Sequence, residues 1–186
     1  MRQHIVFIDT NSPGIETMRL AKQRGLRVSF IRSGYRHYVE TDRLKRILST
    51  LDTIVTIPDS TVDEEVLEAV RKLSMLAPID AVISELEPCV DVAARVCARL
   101  GIPFTNASAV AAARDKRRTR EIIQRAGLRC PRFHQVATPQ EAYAAAESIG
   151  TAVVIKPQTG FDSLLATVAP TPNDAAPASL PSRFSR

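Results

Sequence analysis

His4-Ile5-Val6-Phe7-Ile8-Asp9-Thr10-Asn11-Ser12-Pro13-Gly14, near the start of the 186-residue chain, sets the architecture. Ile5 to Ile8 is an unbroken apolar run, as expected of a strand covered on both faces. Asn11 to Gly14 reads as a turn. A helix follows from Ile15 to Arg24 and stops at Gly25. Three more β-then-α units come after it. Leu26 to Ile31 is the second strand, and the stretch to Thr50 holds a short helix, Thr41 to Leu48. Thr53 to Ile57 is β-branched and strand-like. Thr61 and Glu64 then stand at capping-box spacing before a helix whose apolar face is Val66, Ala69, Val70 and Leu73. Ile79 to Ile83 is another buried strand. Pro88 suits the first turn of the next helix, Val90, Ala93, Ala94, Cys97 and Leu100 line its inner face, and Gly101 closes it. Such alternation predicts an α/β domain over residues 1–105, an open parallel sheet with flanking helices.

The pattern then changes. Ala107 to Ala113 is helix-prone and reads as a connector. Asp115 can cap a helix running to Ala126, with Gly127 as its stop. Arg132 to Val136 reads as a strand. Thr138-Pro139-Gln140-Glu141 is a helix start, and Ala142, Ala145, Ala146 and Ile149 form that helix's apolar face. Ala152 to Ile155 is a strand with Leu164 to Val168 as hairpin partner. Residues 106–168 therefore read as a small α+β piece. From Ala169 onward Pro, Ala and Ser dominate, and residues 169–186 are expected to be a disordered tail, since they bury too little to offset their ordering entropy.

Composition narrows the function classes. Hydrophobic residues make up 45% and charged residues 24% of the chain, enough for a core. Aromatics are only 5% and Trp is absent, so that core is aliphatic. Net charge is +5 with a pI near 9.4, which favours anions in general. The densest basic cluster, Arg114, Lys116, Arg117, Arg118 and Arg120, has no interleaved aromatic to stack on bases, which argues against nucleic acid. Cys89, Cys97 and Cys130 form no C-x-x-C pair and His4, His37 and His134 show no ligand spacing, so the expectation is reduced thiols, a cytoplasmic setting and no Cys/His metal site. The N-terminal apolar run is too short for a signal peptide, and no run reaches bilayer length.

Two lysines carry the chemistry. Lys116 stands in Ala113-Arg114-Asp115-Lys116, where a helix begins, and Lys156 ends the run Ala152-Val153-Val154-Ile155. So placed, a pair of lysines can hold the phosphates of ATP from two sides. Asp115-Lys116, Ala126-Gly127-Leu128-Arg129-Cys130-Pro131-Arg132-Phe133, Thr138-Pro139-Gln140-Glu141-Ala142, Ile149-Gly150 and Val153-Val154-Ile155-Lys156-Pro157, in that order, resemble the ATP-grasp superfamily, and within it the carboxylate–amine (amino-acid) ligases. The likeness covers about residues 4–168, with the N-terminal layer resembling the domain that precedes the grasp. The resemblance implies ATP as cofactor with Mg, and a carboxylate and an amine as substrates. It further implies phosphate contacts from Lys116 and Lys156, and a closing loop that includes Gly160 and Ser163. The loop departs from the family's glycine-rich pattern, because Phe161 and Leu165 are bulky and Asp162 is anionic. In the family the adenine-holding residues and metal ligands follow this loop. Nothing after Val168 matches them, so the expectation is a truncated ATP-grasp domain, weak or inactive alone. Whether the chain is an enzyme stays open.

Other readings stand beside this one. Lys116 can be an exposed lysine in the first turn of an Arg-rich helix, and Lys156-Pro157 a strand end before a turn. Glu85 and Glu87 follow the strand Ala81 to Ile83, at the edge where open α/β sheets bind ligands. Glu85 there can hold a substrate amine, or simply face solvent. Asp9 reads as a loop-forming residue. A dinucleotide site fails on its glycines, because Asp9 to Gly14 holds one where G-x-G-x-x-G needs three. The alternative from another class is a non-catalytic module that holds a nucleotide or a partner. An edge left for a missing subdomain favours association, with a second copy or with a partner ligase subunit.

Overall fold

The computed structural model describes residues 2–34, 41–160 and 165–176. The chain divides into two compact units, Met1–Val110 and Ala111–Arg186.

In the first unit, β1 (His4–Ile8), β2 (Arg27–Ser33), β3 (Thr53–Ile57) and β4 (Ala81–Ile83) form a parallel sheet in the order β3-β2-β1-β4. Phe7 lies opposite Phe30 on β2 and Ile83 on β4, so β1 is central. Strand alternation sends successive side chains to opposite faces. Phe7, Val28 and Phe30 pack with Ile15 and Met18 of α1 (Ser12–Gln23) and Leu44, Ile47 and Leu48 of α2 (Asp42–Leu48). Val6, Ile8, Ile31 and Val82 pack on the other face with Val66, Val70 and Leu73 of α3 (Asp63–Leu76) and Val92, Ala93, Val96 and Cys97 of α4 (Glu87–Leu100). Two covered faces explain why the strands read as apolar runs rather than alternating ones. After β3 the chain crosses to the far side of β1, so the strand order reverses between β1 and β4. That switch point is where open α/β sheets leave a crevice.

Local signals set most of the ends. Asn11 caps α1, its side-chain oxygen accepting from Gly14 N–H at 3.1 Å, so the helix starts at Ser12, earlier than Ile15. Thr41 caps α2 through Leu44 N–H. Gly101 ends α4 at φ 68°, a left-handed conformation that costs glycine little. The capping box expected of Thr61 and Glu64 does not form. Asp59 Oδ1 accepts from both Thr61 N–H (2.8 Å) and Thr61 Oγ1 (2.7 Å), holding the threonine in the turn before the helix. Glu64 instead accepts from Arg99 of α4, at 2.6 Å.

α5 (Ala107–Arg114) spans the boundary between the units. In the second unit, α6 (Lys116–Arg125) is capped by Asp115, whose Oδ1 accepts from Arg118 N–H at 3.0 Å. α7 (Pro139–Ile149) is capped by Thr138, and Glu141 reaches back to Ala137 N–H. β5 (Val153–Ile155) pairs antiparallel with β6 (Thr167–Ala169). The segment from Arg132 to Val136 is not a strand. Its Arg132 guanidinium donates to the Ser148 and Ile149 carbonyls at the end of α7, and Gln135 bonds sideways to Gln158. Nor does order end at Val168. Ala169 closes β6, and α8 (Pro172–Ala175) follows behind a capping box made by Thr171 and Asp174. Ala169 and Ala175 are buried against Ala142 and Ala146. A core made of alanines lacks the bulky periodicity that marks an ordered segment. The rest of the expected tail, residues 177–186, lies outside the described residues.

Candidate functional site

In the second unit Lys116 meets the segment that follows Lys156. Lys116 is the first residue of α6, and its main-chain N–H donates to the Gln158 carbonyl at 3.0 Å, two residues beyond Lys156. The Lys116 ammonium donates to the Gly160 carbonyl at 3.3 Å and is partly buried. Gly160 has φ 138°, a conformation reserved in practice for glycine. Lys156 is exposed at the end of β5, and its ammonium has no hydrogen-bond or ion-pair partner among the described residues. Ser163 lies outside the described residues, as do Phe161 and Asp162.

Asp115 and two glutamines complete this cluster. Gln158 donates its side-chain N–H to Asp115 Oδ2 at 2.8 Å and accepts from Gln135 Nε2 at 3.2 Å. The Arg118 main-chain N–H, then the Gln158 amide, hold the Asp115 carboxyl below the usual range. Sequence reasoning missed Gln135 and Gln158, because an exposed amide in a turn carries no periodic or motif signal. Chemically, this unit offers one ammonium anchored on the Gly160 carbonyl and one exposed ammonium, that of Lys156, without a partner among the described residues. That is a donor set for an anion with several oxygens.

A second arrangement occupies the switch point of the first unit. Asp9, at the end of β1, is 1% exposed and adopts φ 44°. Its Oδ2 accepts from Ser33 Oγ at 2.6 Å and Ser60 Oγ at 2.7 Å, and its Oδ1 from Thr10 N–H at 2.9 Å. One buried carboxylate thereby ties the ends of β1 and β2 to the turn before α3, a larger part than that of a loop former. Ser60 Oγ also lies 3.3 Å from Cys89 Sγ. Burial, against the Ser60 hydrogen bond and with Asp9 nearby, pushes the Cys89 thiol up to about 11, so it stays protonated and inert. Glu85 is exposed beyond β4, and Thr10 Oγ1 donates a long 3.4 Å hydrogen bond to its Oε2. A Cβ on Gly14 would sit 1.8 Å from Thr10 Oγ1 and 2.0 Å from Glu85 Oε2, which explains the glycine in this turn.

Comparison with known proteins shows what the first unit resembles. The ATP-grasp N-terminal domain family matches residues 18–104. Over those residues the chain is similar to that family. Alanine–anticapsin ligase of Bacillus amyloliquefaciens is 33% identical over 95 residues, 51% of this chain and 20% of the relative. The match therefore spans about a fifth of that curated protein. The L-amino acid ligase from Bacillus licheniformis superposes on 96% of this chain and 41% of its own, with TM-score 0.71 and 22% identity. N5-carboxyaminoimidazole synthetase from Staphylococcus aureus, solved with ADP, superposes on 94% of this chain and 43% of its own, with TM-score 0.65 and 16% identity. At these identities the structural likeness carries the fold, a parallel α/β layer followed by a small α+β unit. No helix among the described residues is long and apolar enough to cross a membrane.

Proposed function

We propose that this chain contributes the phosphate-holding lysines and the amine edge of an ATP-dependent carboxylate–amine ligase. The observation that carries the reading is the docking of Lys116 on the segment led by Lys156, with the Lys116 ammonium on the Gly160 carbonyl. In the proposed reaction a carboxylate oxygen attacks the γ-phosphorus of ATP and ADP leaves. The amine gives up the proton it carries as an ammonium, its nitrogen attacks the acyl phosphate carbon and loses a second proton, and phosphate leaves. Phosphoryl transfer shifts negative charge toward the leaving oxygens, and two lysine ammoniums oppose that build-up. Gly160 is taken as the glycine of the phosphate-holding segment, and Ser163, outside the described residues, is assigned to it by the family resemblance alone. Glu85 supplies a carboxylate at the switch point for a protonated amine. Among the described residues no three His, Cys, Asp or Glu side chains are placed to hold a metal ion, so these residues by themselves do not fit a magnesium site. Three free cysteines suit a reducing compartment, the cytoplasm.

ATP titration calorimetry tests the reading. Lys116→Ala and Lys156→Ala are each expected to weaken ATP binding about tenfold or more, the scale of a lost charge-assisted contact. Unchanged affinity in both variants would overturn it. ADP release on adding an amino acid such as L-alanine distinguishes the two functional classes. Binding without any ADP release would leave a nucleotide-holding module.

A further inference from the structure

Gln158 ties two other segments, at 115–116 and at 135, to its own. Its carbonyl accepts the Lys116 main-chain N–H at 3.0 Å, its side-chain N–H reaches Asp115 at 2.8 Å, and its side-chain oxygen accepts from Gln135 at 3.2 Å. Asp115 stands next to Lys116, and its carboxylate is the charge that would trouble a phosphate site there. One of its oxygens is used by the helix cap, through Arg118 N–H. Gln158 takes the other. Left open, that oxygen would repel phosphate or draw the Lys116 ammonium off the Gly160 carbonyl.

We infer that Gln158 is a positioning residue for the phosphate-holding lysines, fixing the start of α6 against the turn after β5 and occupying the spare oxygen of Asp115. The inference rests on the ATP reading above and deepens it. Its chemistry requires an amide. A glutamate at 158 would set two carboxylates against each other, whereas exchanging the groups, with Asn at 115 and Glu at 158, restores one donor, one acceptor and the same charge as the Asp–Gln pair. Asn caps a helix as well as Asp does, so α6 tolerates the exchange. The side-chain contacts are exposed, so their loss costs little global stability.

The test uses the full chain and calorimetric titration with ATP in the presence of magnesium chloride, beside thermal unfolding of each variant. Gln158→Glu is expected to weaken ATP binding about tenfold with a nearly unchanged unfolding midpoint, and the double variant Gln158→Glu/Asp115→Asn to recover to within about threefold of wild type. Gln158→Ala, which keeps the main-chain bond, should fall between them. A merely structural tie would move the midpoint rather than show this reciprocal rescue. If Lys116→Ala and Lys156→Ala weaken binding but Gln158→Glu does not, or the exchange fails to rescue it, the role of Gln158 is overturned and the ATP reading stands. If neither lysine matters, or wild type binds no ATP, the ATP reading falls and takes this inference with it.

Discussion

Phe7, Phe30, Ile15, Met18, Leu67 and Leu73 are all buried in the first unit, under helices on both faces of the sheet. In the second unit the buried core residues are Ala142, Ala146, Ala169 and Ala175, with Val136, Val153 and Ile155 partly covered beside them. α6 buries no residue at all, and Val154 and Val168, paired across β5 and β6, are 58% and 64% exposed. Hydrophobic stabilisation scales with the apolar area removed from water, and an alanine removes little. The first unit is therefore a folded platform. The second holds its shape through caps, a short ribbon and side-chain amides, which suits a segment that must present lysines rather than bury them.

The sharpest way to break this contrast is a cavity in the platform. Phe30→Ala, at the centre of β2, is expected to cost about 3–5 kcal/mol in urea denaturation followed by circular dichroism. A loss below about 1 kcal/mol would mean the sheet is not the stabilising element. The next test acts on the second unit. Ala146 is 2% exposed, so Ala146→Leu should overpack the alanine core and cost about 1–3 kcal/mol. Hydrogen exchange would show the loss confined to α7, β5, β6 and α8. If the leucine instead slows exchange there, the unit is loosely packed and was short of apolar bulk.

How far the sequence was legible follows the same division. The β1 run Ile5–Ile8 and the β3 run Thr53–Ile57 announce themselves because both faces of a parallel sheet are apolar. Helix ends marked by Gly101, Asp115 and Thr138 were readable for local reasons, whereas Asn11 was read as a turn residue and is the cap of α1. Thr61 misled because an aspartate two residues earlier competes for the same hydroxyl, a choice between two local partners that spacing cannot decide. Arg132 to Val136 misled because a strand needs a ladder partner, which is a tertiary fact. Order past Ala169 was invisible because alanine and proline carry no pattern when the packing surface is itself alanine. At the candidate site Lys116 and Lys156 were singled out by charge and position and Gly160 by the family resemblance, and their role belongs to the proposal. Gln158 and the Ser33 and Ser60 partners of Asp9 were not, since their roles come from chain segments far away in sequence.

A smaller effect sharpens the view that caps matter more in the second unit. Thr138→Ala removes the hydroxyl that accepts from Glu141 N–H at the start of α7, and is expected to cost about 1 kcal/mol. Faster amide exchange in the first turn of α7, without change in the first unit, is the measurement. Equal exchange would assign the helix start to Pro139 and Glu141 alone.

The smallest expected effect concerns acid, and it returns to the platform. Asp63 at the start of α3 accepts two hydrogen bonds from Arg95 of α4, both at 2.7 Å. The Arg95 hydrogen bond, opposed by burial and aided by the charges of Arg95 and Arg99, holds the Asp63 carboxyl below its usual range. A carboxyl lowered in the folded state takes up its proton less readily than in the unfolded chain. Its contribution is therefore complete above the unfolded value, about 3.9, and is lost as pH falls through the lower folded value. The side chains are 30% and 47% exposed, so solvent screens the pair and about 0.2–1 kcal/mol is its scale. Asp63→Asn should lower the unfolding midpoint slightly at pH 7 and flatten its fall below about pH 4, and high salt should shrink the difference. An acid slope identical in wild type and Asp63→Asn would mean the α3–α4 clamp adds nothing, leaving the platform's stability to its apolar core, Phe7 and Phe30 included.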